Sequence, residues 1–405
     1  MNENMKLEQE KPISRFHGFS LSTRSSCIRP QCLWFRSCVM SFYDSFRWVA
    51  LCGKLLGVFP VQNILSRNPF AIRYRVFSID ILYSIILHTT IMGIHYWWNG
   101  FQFSADNRFK QLIQVLILFM YVRTVACFVF CLFRQAPKSL RVLRLLEVFE
   151  RHRETTLNLR TPTTLSKCLL LGIPGFINLL LSATYAFESG HLVCEIYSKS
   201  PRDQYWPALA FGFSCLWHII PPLFYVYLST KILFNFHDIN RALIAKGYYA
   251  TYCRGFEKFD DDSEYLGNLR VFHNLLSEAT HALSICYGSF ISVQKLFLIV
   301  AVVVNISAYI AAARDPHLLV LTSIDIFHFL MMTGISHSIK KRGCKVARLF
   351  QGIPLSALSE SSKNEIELWL LQLSVHPVHV NAAGYFILDK TQTFEVTRKK
   401  KLHPS

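Results

Sequence analysis

The sequence predicts an all-α polytopic membrane protein, on three observations. Of its 405 residues 52% are hydrophobic, and 33 are Phe, more than one water-soluble core of this length requires. The apolar residues come in blocks of about twenty, the length that crosses ~30 Å of hydrocarbon. The Lys and Arg behind a net charge of +17 lie mostly between these blocks, as in membrane loops. That spacing argues against a nucleic-acid partner and for membrane lipid.

Residues 1–76 read as a cytosolic N-terminal segment. Residues 1–40 are polar and basic and hold no apolar core of signal-peptide length, so the first span itself acts as the insertion signal. Six spans follow, at about 77–98, 111–133, 168–187, 205–228, 296–313 and 317–336. Together they make a six-span domain over 77–336 that includes a cytosolic loop at 229–295. At ~1.5 Å rise per residue the shortest still covers about 27 Å. Pro174, Pro221 and Pro222 interrupt two spans, which lipid tolerates when neighbouring helices satisfy the freed backbone groups. Of the 43 Lys and Arg, 37 lie on one side, five on the other and one, Arg123, within a span. Basic residues collect on the cytoplasmic side. The N-terminus is therefore expected inside a multi-pass plasma-membrane protein, and six spans bring the C-terminus inside too.

Of the 12 Cys only Cys194 falls outside on this topology, so no external disulfide within the chain is expected. The one Asn-x-Ser/Thr sequon, Asn305-Ile306-Ser307, lies within a span and should carry no glycan.

Two cytosolic stretches carry helical patterns. In "NLRVFHNLLSEATHAL", Leu269, Phe272, Leu276, Ala279 and Leu283 alternate three- and four-residue steps, a coiled-coil-like seam. In "NEIELWLLQL", Ile366, Trp369, Leu370 and Leu373 share a face. The seam reads as a collar where subunits meet; packing within one chain or along the membrane are the alternatives. Residues 337–389 form a cytosolic helical segment, and 390–405 form a basic tail.

No enzyme is expected, because no phosphate-binding Gly loop, zinc Cys pairs or nucleophile elbow occurs. His376 and His379 have metal-like spacing, but Pro377 breaks the helix between them and no further ligands lie near, so no metal or cofactor is expected. Two charges fall inside spans. Arg123 sits mid-depth in the second and Asp325 about 12 Å below the outer face of the sixth. Such charges face the bundle interior or water. They pair with each other, or Arg123 extends to the inner headgroups.

Two stretches resemble the insect gustatory receptor family, relatives of the insect odorant receptors. "GKLLGVFPVQN" (Gly53–Asn63) resembles the family's pattern before the first span, with Gly57, Phe59 and Pro60 as its marks. "LWLLQLSVHPVHVNAAGYFILD" (Leu368–Asp389) resembles its more specific region, through Gly384, Tyr385, Phe386, Leu388 and Asp389. The resemblance implies seven spans, a cytosolic N-terminus and a ligand-gated, non-selective cation channel for small-molecule tastants. It also implies a homo- or hetero-tetramer with other gustatory receptor subunits, around a pore lined by the seventh helix. In the family that helix follows the Gly-x-Phe-x-Leu-Asp turn and carries Thr-Tyr and Gln-Phe. Here "KTQTFEVTRKKKLHPS" follows, and Arg398, Lys399, Lys400 and Lys401 would each cost about 2.5–3.5 kcal/mol at the bilayer centre. The pore helix is therefore expected to be missing, through a truncated gene model or a real short isoform or pseudogene, and the chain alone is expected not to conduct.

The resemblance also implies a ligand cavity between spans in the outer half of the membrane. Tyr96, Trp97, Trp98, Gln111, Gln114, Tyr185, Glu188, Tyr205 and Trp206 fall there, as do Asn305, Tyr309, Thr322, Ser323 and Asp325. Aromatic faces with a few polar groups suit small organic molecules, although Trp and Tyr collect at membrane interfaces in any case. Asp325 is expected to help set ligand polarity, with Arg123 as its structural partner. An odorant receptor is the nearer alternative. A G-protein-coupled receptor would need an external N-terminus, and a six-span transporter would show internal repeats.

Overall fold

In hydrocarbon no water satisfies backbone N–H and C=O groups, so the apolar blocks must pair theirs internally, as helices do. A computed structural model describes residues 42–66, 68–99, 108–157, 180, 184, 205–248, 262–311, 316–353, 358–384 and 386–388. All fall in one compact unit, Met40–Ser405. The helices are α1 (Phe42–Leu55), α2 (Ile79–Asn99), α3 (Arg108–Phe130), α4 (Ala136–Leu157) and α5 (Tyr205–Ala245). They continue with α6 (Ser263–Ala311), α7 (Pro316–Gly343), α8 (Lys345–Gln351) and α9 (Glu360–Val375). A two-residue antiparallel hairpin, β1 (Asn381–Ala382) with β2 (Phe386–Ile387), closes the described chain. The fold is all-α apart from this hairpin. Five expected spans fall on α2, α3, α5, α6 and α7. The third, 168–187, lies outside the described residues except for helical Leu180 and Thr184.

Several helices outrun the hydrocarbon. α6 has 49 residues and α5 has 41, roughly 70 and 60 Å at ~1.5 Å per residue. Within α6, residues Ser263–Ser307 are long and apolar enough to cross a membrane. The surfaces of these helices are inverted relative to a protein folded in water. Val122, Val125 and Val129 on α3, Leu296, Ile299 and Val303 on α6, and Ile326, Phe327 and Leu330 on α7 face outward. Arg123, Gln294, Asn305, Thr322 and Asp325 on the same helices are buried. Lipid tails solvate the first set, and only the bundle interior can satisfy the second.

The sequence assigned no element to residues 42–55 or to the charged stretch after 133. In the structure α3 runs through a π turn, Cys131–Gln135, into α4 as one rod. Pro137 explains the turn: it has no N–H, and its ring would strike the carbonyl four residues back, so the helix widens just before it. The Tyr74 hydroxyl donates to the Leu132 carbonyl inside the turn at 2.7 Å. The Arg134 guanidinium donates from Nε and Nη2 to Ile285 O on α6 at 3.2 and 3.1 Å.

The collar expectation requires correction. Leu269, Phe272, Leu276, Ala279 and Leu283 are all buried inside one chain, in the core that α6 shares with α4, α5 and α7. The three-and-four spacing encodes a helix face that must be covered, and the chain's own helices cover it. Trp369 and Ile366 of α9 are buried in the same core, while Leu370 and Leu373 are half-buried against it. The Trp369 ring meets Phe350 edge-on at 5.2 Å and His273 at 5.4 Å, and His273 in turn meets Phe236 at 5.1 Å. Arg270–Glu365 at 2.9 Å and Gln372–Asn274 at 2.6 Å tie α9 to α6 at the edge of this contact. Between α4 and α5, Arg153 pairs with Asp238 at 2.8 Å and Lys231 pairs with Glu150. Burial raises the Asp238 carboxyl, and Arg153 and then Lys231 pull it back.

Candidate functional site

Helices α3, α6 and α7 pack side by side, and each contributes a polar residue at one level. Arg123 donates from Nη1 to Asp325 Oδ2 at 3.0 Å and from Nη2 to Asp325 Oδ1 at 2.8 Å. This is the forked geometry that a planar guanidinium favours. The same Nη2 donates to Gln294 Oε1 at 2.9 Å, and Gln294 Nε2 donates to Cys127 Sγ at 3.2 Å. Of the two arrangements open to Arg123, the structure has the paired one. His328, three residues beyond Asp325, sits in the field of both charges. Gln294 and Cys127 could not be found by sequence reasoning, because a lone Gln near a span's inner end has no local signal.

About three turns beyond Gln294 on α6 and about one turn before Asp325 on α7, Asn305 Nδ2 donates to Thr322 Oγ1 at 2.8 Å. Asn305 Oδ1 is buried with no hydrogen-bond partner among the described residues, as are His328 Nε2 and His88 Nδ1. Each such atom costs about 1–3 kcal/mol when left unmet. His88 of α2 stacks on Phe128 of α3 at 3.8 Å and leans on Trp217 of α5 at 4.3 Å. The Trp217 indole donates to Leu56 O at 2.9 Å.

The remaining expected ligand residues divide. Tyr309 is half-buried on α6, and Ser323 is exposed, its hydroxyl donating to Leu319 O of its own helix at 2.7 Å. Ser323 thus faces away from the Thr322–Asp325 side. Tyr96, Trp97 and Trp98 lie on α2, Gln111 and Gln114 on α3, and Tyr205 and Trp206 on α5, but their side chains are outside the described structure. Tyr185 and Glu188 lie outside the described residues altogether.

The motif residues have structural work. Gly57 has φ +71°, a left-handed turn that ends α1 without side-chain strain. Phe59 is buried and contacts Phe224 at 4.9 Å, and Pro60 is buried beside it. At the other end, the hairpin lies on a rail of α6 at four-residue spacing. Ser284 Oγ accepts from Asn381 N at 3.1 Å, and Ser292 Oγ donates to Ala382 O at 3.2 Å. Between them, a Cβ on Gly288 would come within 2.5 Å of Ala383 N and 2.6 Å of Asn381 O. Gly384 turns the hairpin at φ +87° with nothing near its absent side chain. Phe386 pairs with Ala382 and Leu388 is buried, whereas Asp389 lies outside the described residues.

Comparison with known proteins fits this arrangement. The 7tm chemosensory receptor family matches residues 48–397. The fold is similar to that of the insect olfactory receptor OR5 from Machilis hrabei, with a TM-score of 0.63 and 12% identity over 89% of this chain and 97% of that one. The same receptor in complex with eugenol gives a TM-score of 0.61, again at 12% identity over 89% and 97%. No curated protein sequence matches. A family match spanning most of the chain, on a bundle with lipid-facing exteriors and a polar interior, makes this a membrane receptor and not an enzyme: the chain belongs to the 7tm chemosensory receptor family.

Proposed function

We propose that this chain is a gustatory receptor subunit, one member of an assembly that forms a ligand-gated, non-selective cation channel for small-molecule tastants. Family membership over residues 48–397 carries the receptor class. The Leu368–Asp389 stretch, seated on the α6 rail through Ser284, Gly288 and Ser292, favours taste. The tastant enters the outer half of the bundle, among Tyr96, Trp97, Gln114, Tyr185, Trp206, Asn305, Tyr309 and Asp325. Asn305 Oδ1 offers it an unmet acceptor, and Asp325 biases the site toward polar ligands through a charge held by Arg123. Binding opens the channel only to the extent that the ligand prefers the open state. α6 is suited to carry that preference, since one helix holds Asn305, Gln294 and the hairpin rail of Ser284, Gly288 and Ser292. Subunits assemble as homo- or hetero-tetramers in the plasma membrane. The N-terminal segment 1–76 is cytosolic, the six-span domain occupies 77–336, and segments 337–389 and 390–405 return to the cytosol.

An odorant receptor is the second reading, favoured by the fold shared with an olfactory receptor solved with eugenol. A ligand panel separates the two. The purified chain should be stabilised by a water-soluble bitter compound or sugar, by about 2.7 kcal/mol at a hundred times the ligand's Kd. Stabilisation by volatile odorants alone would overturn the taste reading.

A further inference from the structure

The segment leading into α2 runs along the π turn and α4. Arg144 Nη2 donates to Ile72 O at 3.3 Å, the Tyr74 hydroxyl to Leu132 O at 2.7 Å, and the Arg151 guanidinium covers the Phe70 ring at 5.2 Å. These contacts set the segment that carries exposed Arg73 and Arg75 against the element on which Lys138 and Arg141 are exposed. None of the four side chains has an ion pair or hydrogen bond among the described residues. No Asp or Glu occurs in 67–79 or 130–146. The flanking carboxylates are already engaged, Asp80 by Lys54 at 2.8 Å and Glu147 by Arg151 at 3.0 Å. Partial burial, and then the Arg134 guanidinium, lower the Lys138 ammonium pKa, so an anion here would relieve a repulsion.

Beside these cations Phe77 is 98% exposed and Ile79 is 84% exposed, just where α2 begins. Large apolar groups next to unpaired guanidinium groups match a bilayer interface, where acyl chains take the first and phosphates the second. We propose that Arg73, Arg75, Lys138 and Arg141 form a binding site for an anionic phospholipid headgroup, with Phe77 and Ile79 inserted among its acyl chains. A site with four cations binds a multiply phosphorylated inositol lipid more tightly than a singly charged one. The bound lipid braces the Tyr74–Leu132 contact and with it the π turn between the membrane and cytosolic parts of the rod. The orientation proposed above decides only which leaflet supplies the lipid.

The test uses the purified chain in neutral detergent. Dioctanoyl phosphatidylinositol 4,5-bisphosphate should bind, and dioctanoyl phosphatidylcholine should bind far more weakly. R73Q/R75Q should weaken the first about 25-fold, or fivefold per arginine, the ratio expected for ~1 kcal/mol per basic residue. K138Q/R141Q, on the other element, should weaken it to a similar degree, and neither pair should change the melting temperature. Phe77→Ser should weaken the lipid and leave free inositol 1,4,5-trisphosphate unaffected. Unchanged affinity in both double variants, equal binding of the choline lipid, or a free trisphosphate binding as tightly as the lipid would each overturn the proposal. None of these residues belongs to the tastant site, so the ligand panel and this test can fail independently.

Discussion

Arg123 of α3 and Asp325 of α7, 202 positions apart in the chain, meet through a two-point ion pair whose guanidinium also reaches Gln294 of α6. Three helices are thereby pinned at one level inside the membrane. Desolvating two charges offsets most of their attraction, so the pair adds little net stability over a well-packed apolar contact. Its value is in register: sliding α3 against α7 by one turn, about 5.4 Å, would part the two charges.

Asp325→Asn should therefore destabilise the protein by about 3–5 kcal/mol, because it leaves the Arg123 charge buried without its counterion. Thermal melting in detergent and surface expression would both report the loss. The exchange R123D/D325R should recover part of it, and a swap that recovers neither quantity would show that the pairing is not what matters.

Gly288→Ala should displace the hairpin, since the new methyl meets backbone atoms of residues 381 and 383 that cannot rotate away. A cost of about 1–3 kcal/mol is typical of such overpacking. Gly384→Ala should cost about 1–2 kcal/mol through its left-handed backbone alone, because its side-chain site is open. Amide exchange over residues 378–388 distinguishes them. It should quicken much more in Gly288→Ala, and equal effects would argue against the close contact.

His273 makes stability pH-dependent. Its Nε2 donates to Gly343 O at 2.9 Å, and burial pulls its pKa from 6.5 down to about 4. Below 6.5 the unfolded chain binds a proton that the folded chain refuses, so stability must fall with falling pH. The loss begins near pH 6.5, is complete near pH 4, and amounts to about 3 kcal/mol at ~1.4 kcal/mol per pH unit. His273→Gln can keep the bond to the Gly343 carbonyl without the titration. Its melting temperature should be less sensitive to pH across that window, and an unaltered slope would assign the dependence to other groups.

Tyr74→Phe removes one hydroxyl, the donor to Leu132 O in the π turn. The expected cost is about 1 kcal/mol, typical of a single hydrogen bond. A melting curve checks it, and an unchanged curve would mean that Leu132 O finds another donor.

Length and hydropathy were enough to show a helical membrane protein, because lipid imposes a nearly uniform demand along each segment. The motif around Gly57–Pro60 was legible for a similar reason, since a left-handed turn and a buried Phe-Pro are local constraints. The collar was misread because a three-and-four repeat says that a face is buried and not by what. Leu269, Leu276 and Leu283 are buried all the same, but against the chain's own helices. The helix after residue 133 was missed because exposed Arg and Lys interrupt its pattern, although Leu143, Leu146 and Phe149 still mark one buried face.

What the sequence determined alone was that the chain folds as membrane helices and that Arg123 and Asp325, placed in lipid, had to face inward. Only the tertiary structure decided that they face each other, that Gln294 joins them, and that the hairpin rests on Gly288. Solvation acts on each residue separately and so can be read along the chain. Partnership between residues 202 positions apart depends on how helices cross, and no local pattern records that.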